Sequence, residues 1–382
     1  MNILLYLFFI LLSFGQLGRI ELFSSVAILS YEIVMILIFA LFVSNKWKEI
    51  RACSENNRVK AFGIFVGILN ISLLVSLPIY SVNENVVALA YLARLILYGL
   101  FFVTLLSLQK SILERGLKLF TFATISFSLI QYIFVPNIQF LASQGWDPHM
   151  ARVVGTFLDA TPAGIIFSLL FFYILIRKPL SFRANKSLPA GRQGISVWIF
   201  SLISLFLLIL LTYSRITYIG FIGGFLYLLL RRYRVKLVST LIALFFLSIP
   251  FMPQVPGEST NLQRTFSINS RLNDMKQGIV VWQQNPLLGI GYNHISSVKG
   301  GNTARNHSDS AYSSSFVTIL ASSGVVGLGA FFYLLWSLYR KGSLLTQSAT
   351  VTIVVASLVE NVFLLNVVLT VYLVLIALED NR

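Results

Sequence analysis

Long stretches of this chain carry almost no charge. Nearly uncharged apolar segments recur at roughly 3–17, 26–43, 61–80, 86–108, 117–135, 160–176, 195–213, 216–230, 237–251 and 313–339. A hydrocarbon core about 30 Å thick is crossed by about 20 predominantly apolar helical residues. Backbone groups inside lipid must also be satisfied within the protein, which leaves helices or a closed barrel. The last apolar stretch, 348–378, has about 31 residues, or about 46 Å as one helix. It holds the polar pair Glu360-Asn361, so it is expected to split into two short spans. The expectation is an all-α, multi-pass integral membrane protein with about twelve transmembrane helices.

Composition agrees: 57% of the 382 residues are hydrophobic and 11% charged, against about 25% charged in soluble domains. The formal net charge of +15 would suggest nucleic acid in a soluble protein. Here positive charge is expected in cytoplasmic loops for topological reasons, so no nucleic-acid partner is implied. One cysteine, Cys53, rules out an internal disulfide framework and a cysteine-rich metal site. The first residues lack a basic n-region and a small-residue cleavage site, so they read as a retained first helix, not a signal peptide.

With the N-terminus placed in the cytoplasm, nineteen lysines and arginines fall in inner loops and eight on the outer side. That bias predicts a cytoplasmic (inner) membrane protein with both termini inside. The organisation expected is 1–135, transmembrane helices 1–5; 136–251, helices 6–9 with an outer loop at 136–159; 252–312, a large extracytoplasmic loop; and 313–382, helices 10–12. The inner stretch 186–194, "KSLPAGRQG", reads as a flexible loop.

Polar residues gather on the outer side. Arg215 lies in "TYSRIT", a turn between helices seven and eight. It could snorkel to lipid phosphates or face a cavity and hold an anion, which its planar fork suits. In the large loop, Ser270 is expected to cap a short helix ending before Pro286, with Leu272, Met275, Ile279 and Trp282 as an apolar stripe lying on the membrane or on the bundle. "NPLLGIGYN" follows, where Gly289 and Gly291 permit a tight turn and close backbone approach to a ligand. His294, Arg305, His307 and Asp309 come next, and His149 lies in the other outer loop.

These residues carry a family resemblance. "TYSRITYIGFIGG" resembles the Ser-Arg helix pair of the O-antigen ligase/O-antigen polymerase superfamily. "SRLNDMKQGIVVWQQNPLLGIGYN" resembles its outer loop, "FVTILASSGVVGLGAFFYLLW" its following Gly-x-x-Gly-Leu helix, and "RVVGTFLDATPAG" the lead-in to its helix six. Four matches in order cover roughly 150–340.

The resemblance implies a GT-C-like, all-helical enzyme with short helices in one large outer loop. Such an enzyme moves a glycan from a polyprenyl-diphosphate donor, such as undecaprenyl diphosphate, onto a lipid, protein or glycan acceptor outside the membrane. Lipopolysaccharide or other cell-envelope polysaccharide biosynthesis is the setting. Arg215, Arg271 and Arg152 are the expected diphosphate clamp, because a leaving diphosphate gains charge as the anomeric bond breaks. No metal or other cofactor is implied. His307 and Asp309 are the candidates for the base on the acceptor hydroxyl, with His294 behind them. The family's His-Asn pair falls eleven residues before the glycine matching Gly324, where this chain has Ser313. Either His307 reaches in from earlier, or Asp309 and the serines serve.

Two further charges lie within spans: Glu32 in helix two and Arg94 in helix four. Their depths, about 9 and 12 Å from the outer side, predict an ion pair, with a place near the lipid-diphosphate path as the alternative. A polysaccharide carrier is the competing function, but it would be expected to show paired halves and matched broken helices.

Overall fold

The computed structural model describes residues 2–23, 26–177, 190–255, 259–300 and 310–380. Among the described residues the elements are helical apart from one hairpin and an isolated bridge between Asn137 and Met150. Helices α1 (Asn2–Ser13) and α2 (Ser30–Ser54) flank the antiparallel strands β1 (Arg19–Phe23) and β2 (Val26–Leu29), with Arg19 paired to Leu29 and Ile20 to Ile28. Then come α3 (Asn57–Ser76), α4 (Val82–Leu106), α5 (Lys110–Phe134), α6 (Ala160–Arg177), α7 (Ala190–Leu211), α8 (Arg215–Leu230) and α9 (Val235–Ser248). Helices α10 (Phe266–Gln284) and α11 (Ile295–Val298) follow, and α12 (Ser315–Arg340), α13 (Leu344–Ser357) and α14 (Asn366–Asp380) complete the order.

Among the described residues, α3, α4, α5, α6 and α12 are each long and apolar enough to cross a membrane. Large apolar side chains such as Phe122 and Phe200 are 69% and 63% exposed on the bundle's outside, a surface suited to lipid and not to water. The protein is an integral membrane protein.

Three expectations need correction. The segment 26–43 does not begin as helix, because 26–29 pairs as a strand; a short apolar run fits either structure equally well. The expected first helix ends at Ser13 and gives way to a 3₁₀ turn over Gly15–Gly18. The expectation of an all-α chain therefore holds except for this hairpin. The expected division of 348–378 does occur, with Glu360 and Asn361 in the connection between α13 and α14.

At the centre lie α6 and α14, whose side chains are buried almost throughout. Phenylalanines interlock there: Phe171 meets Phe221 edge-on, with centroids 5.1 Å apart at 84°, and Phe221 lies 4.6 Å from Phe225. Such arrangements match ring edges to ring faces. The predicted pair in the N-terminal helices is formed: Arg94 Nε lies 3.2 Å from Glu32 Oε1, and Glu32 is 1% exposed. Tyr98 and the backbone N–H of Leu29 also donate to Glu32, and Arg94 donates to the Ala27 carbonyl.

Candidate anion site

The broken helix α12 fixes the large loop in place. Gly324 has φ 66° and ψ −167° inside α12, a conformation essentially reserved for glycine. The chain at 286–291 fills the gap. Ile290 and Gly291 donate to the carbonyls of Ala321 and Ser322, while Val325 and Val326 donate to those of Pro286 and Leu287. The Ser72 hydroxyl of α3 lies 2.8 Å from both Leu288 O and Ser322 O. A Cβ on Gly289 would sit 2.4 Å from the Ser322 carbonyl carbon. Gly289 and Gly291 thus permit close approach to α12 backbone and to the Ser76 side chain of α3.

Helix α10 begins at Phe266, so Ser270 lies within it and is not its cap. Ser270 is one of several small polar residues in "TFSINS", and the chain is already helical when it reaches it. Gly278 and Val281 form the buried face, whereas Leu272 and Ile279 of the expected stripe are 47% and 40% exposed. Met275 and Trp282 are half-buried, so the stripe is divided between the bundle and its outside.

His294 is a structural tie. It is fully buried, stacks on Tyr80 at 4.0 Å and lies 3.0 Å from Asn85 Oδ1 through Nε2. Burial pulls its pKa down, partly offset by Glu84. Asp274 binds the other end of the loop, accepting from Lys299 Nζ at 2.6 Å and from the Ser313 N–H at 2.6 Å. His307, Asp309 and Arg305 lie outside the described residues, as do 186–189, whereas the rest of the stretch expected as a flexible loop, 190–194, is the start of α7.

The three predicted clamp arginines come together. Arg152, Arg215 and Arg271 line one cavity of about 360 Å³, joined by Arg264, which the sequence did not single out. The cavity lies where the 136–159 segment meets the large loop, and Met150 N donates to Ser259 Oγ at 2.9 Å across that junction. Three helices start on its wall: α6 at Asp159 and Thr161, α8 at Ser214 and Arg215, and α10 at Phe266 and Ser267. Helix N-termini present free N–H groups and a positive dipole end. Among the lining residues the four arginines face two aspartates, Asp147 and Asp159.

Each arginine is held differently. Arg215 donates from Nη1 to the carbonyls of Arg264 at 2.8 Å and Leu262 at 3.3 Å, and from Nη2 to Ser267 Oγ at 2.6 Å. That leaves Nε and one Nη2 hydrogen without a partner among the described residues. Arg271 pairs with Glu360 at 2.5 Å, and burial pushes the Glu360 carboxyl up to about 7 against the pull of Arg271. Arg152 is buried behind the wall. It caps the C-terminal end of α7 through Thr212 O at 2.7 Å and Tyr213 O at 3.2 Å, and its Nη1 lies 3.3 Å from His149 Nδ1. Burial, reinforced by Arg264, lowers its pKa to about 10, so it stays charged near neutral pH.

Backbone strain collects here. Ala151, Leu158 and Tyr213 have φ of 54°, 59° and 48°, and they directly precede Arg152, Asp159 and the Ser214-Arg215 helix start. Left-handed non-glycine residues cost about 1–3 kcal/mol each and gather at functional sites. A second cavity, of about 180 Å³, lies against Arg94, Tyr91 and Tyr292, but there Arg94 is already matched by Glu32.

Residues 200–332 match the family model described as O-antigen ligase. Over this stretch the chain is similar to the O-antigen ligase family. The matched region spans α7 through the break in α12, and with it Arg215, Arg264, Arg271 and the 286–291 strap. Arg152, His149 and Asp159 reach the same cavity from outside it. No curated protein matches the chain.

Proposed function

We propose that the protein is a membrane glycosyltransferase that moves a glycan from a polyprenyl-diphosphate donor to an acceptor at the outer face of the cytoplasmic membrane. The observation that carries this reading is the convergence of four arginines and three helix N-termini on one cavity. Arg215 and Arg271 hold the diphosphate, Arg264 adds charge beside them, and Arg152 supports the wall from behind. A diphosphate esterified at both ends carries one negative charge per phosphate, which suits a lining with two more arginines than aspartates. When the anomeric bond breaks, further charge develops on the leaving group. Donors preorganised at that position stabilise the transition state. The arrangement acts through fixed protein charge, independently of a metal.

The twelve-span, GT-C-like organisation with both termini in the cytoplasm belongs to the same proposal. So does the division of the chain into 1–135, 136–251, 252–312 and 313–382. His307 and Asp309 remain candidates for contact with the acceptor.

Membrane vesicles loaded with polyprenyl-diphosphate oligosaccharide test the reading, comparing native protein with Arg215→Ala and Arg271→Ala at equal expression. Transfer by the native protein and its loss in both variants is the expected result. A ladder of product sizes would identify a polymerase of repeat units, a single addition a ligase. Passage of labelled lipid-linked sugar across the bilayer without transfer would overturn the proposal in favour of a carrier.

A further inference from the structure

The cavity holds a carboxylate that the clamp does not use. Asp159 stands at the start of α6, on the wall shared with Arg215 and Arg271. Its side chain is 43% exposed, unlike that of Glu360, which is committed to Arg271. Its Oδ1 accepts from the Thr161 backbone N–H at 3.0 Å and lies 3.8 Å from His149 Nε2. Its Oδ2 has no hydrogen-bond partner among the described residues.

His149 is 7% exposed, and its Nε2 is sealed from solvent without a hydrogen bond. Arginine can only donate, so the approach of Arg152 Nη1 at 3.3 Å makes Nδ1 the acceptor. The ring proton then sits on Nε2 and faces Asp159. Burial pushes the Asp159 carboxyl up, but His149, the Thr161 N–H and Arg152 outweigh it and hold it below the ordinary carboxylate range. Leu158, at φ 59°, fixes the backbone immediately before it.

We infer that Asp159 is the carboxylate that orients and deprotonates the acceptor hydroxyl, with His149 as its positioning residue. The inference rests on the transfer reading above. As the acceptor oxygen bonds to the anomeric carbon, the bond from that carbon to the diphosphate oxygen breaks and its electron pair stays on the diphosphate. The acceptor proton passes to Asp159 Oδ2 and from there to water. The 3.8 Å gap to His149 is of the kind that shortens once substrates are bound.

The test uses full-length protein in proteoliposomes with polyprenyl-diphosphate oligosaccharide, measuring single-turnover transfer and, separately, donor binding. Asp159→Asn should slow transfer by about a hundredfold to ten-thousandfold with donor binding unchanged, and formate should partly restore Asp159→Ala. Arg215→Ala should lose donor binding and gain nothing from formate. His149→Gln, which keeps a side-chain N–H, should retain more turnover than His149→Ala at unchanged affinity for donor. Native protein that transfers nothing overturns the transfer reading and this inference together. Transfer by Asp159→Asn at the native rate, with His307→Ala or Asp309→Asn inactive, overturns this inference alone. Parallel loss of donor binding and transfer in Asp159→Asn also overturns it, since the residue would then be structural.

Discussion

Arg94 and Arg215 both interrupt apolar sequence, and the protein treats them in opposite ways. Arg94 sits inside α4 with Glu32 at 3.2 Å and the Ala27 carbonyl as a second acceptor. Its charge is answered within the chain, by a carboxylate that is itself held by Tyr98 and Leu29. Arg215 has only neutral partners, the Leu262 and Arg264 carbonyls and the Ser267 hydroxyl. Its neighbours on the cavity wall include three more arginines. Like charges side by side in a partly dry cavity are costly unless something outside the chain completes them. A matched arginine holds a structure together, whereas the proposed function gives the arginines around Arg215 an anion from outside the chain as their partner.

That contrast can be broken in four ways. The largest effect is on stability: Arg94→Met alone should cost about 3–5 kcal/mol, because it leaves a buried carboxylate unpaired. Adding Glu32→Gln should recover much of the loss. Thermal unfolding in detergent measures both, and equal effects would mean that the pair is not coupled. Next, Arg215→Ala should reduce transfer by about a hundredfold to a thousandfold while moving the melting temperature little. An activity loss no greater than the loss of folded protein would put Arg215 in the same class as Arg94.

Gly324→Ala ranks third. The added Cβ would meet the Leu287 carbonyl oxygen at 2.1 Å in a backbone conformation costing about 1–3 kcal/mol for a non-glycine residue. Its expected signature is proteolytic sensitivity of the large loop, with cleavage near 286–291 increased over native protein. The smallest effect concerns Glu360. Its folded pKa of about 7 lies above the ordinary 4.5, so between those values the folded state keeps a proton that the unfolded state has shed. The stabilisation is full below the lower value and is lost as pH rises through the upper one. Melting temperature should decline between about pH 5 and 7, and Glu360→Gln should flatten that decline.

Much of this architecture could be read from the residues. Helices announced themselves because lipid-facing and buried positions alike are apolar, and the pair Glu360-Asn361 marked the one long run that had to turn. The Glu32–Arg94 contact followed from depth alone. The β hairpin did not, since the four apolar residues of β2 fit a strand as well as a helix. Arg215 was visible as a charge in apolar surroundings, and Arg271 and Arg152 through the family resemblance, yet Arg264 looked like any loop arginine. His149 and Asp159 were legible as residues but not as a pair. They meet only because left-handed turns at Ala151 and Leu158 fold the chain back, and nothing in the side chains of alanine and leucine signals such a conformation. The face that α10 buries was not singled out, because glycine and valine, Gly278 and Val281, make it and not the larger apolar residues.

The break in α12 has a consequence for how the protein is made. Gly324 lies nine residues beyond Ser315, about 14 Å into the helix. If that helix entered lipid alone, the amide and carbonyl groups at the break would have no partners there, at a cost of several kcal/mol for each group left bare. The chain leaves the ribosome with 286–291 ahead of 321–326, so the strap is available before the helix it must mend. Insertion of α12 and closure of the large loop therefore become one event, and the arginines from that loop reach the cavity as part of the same step.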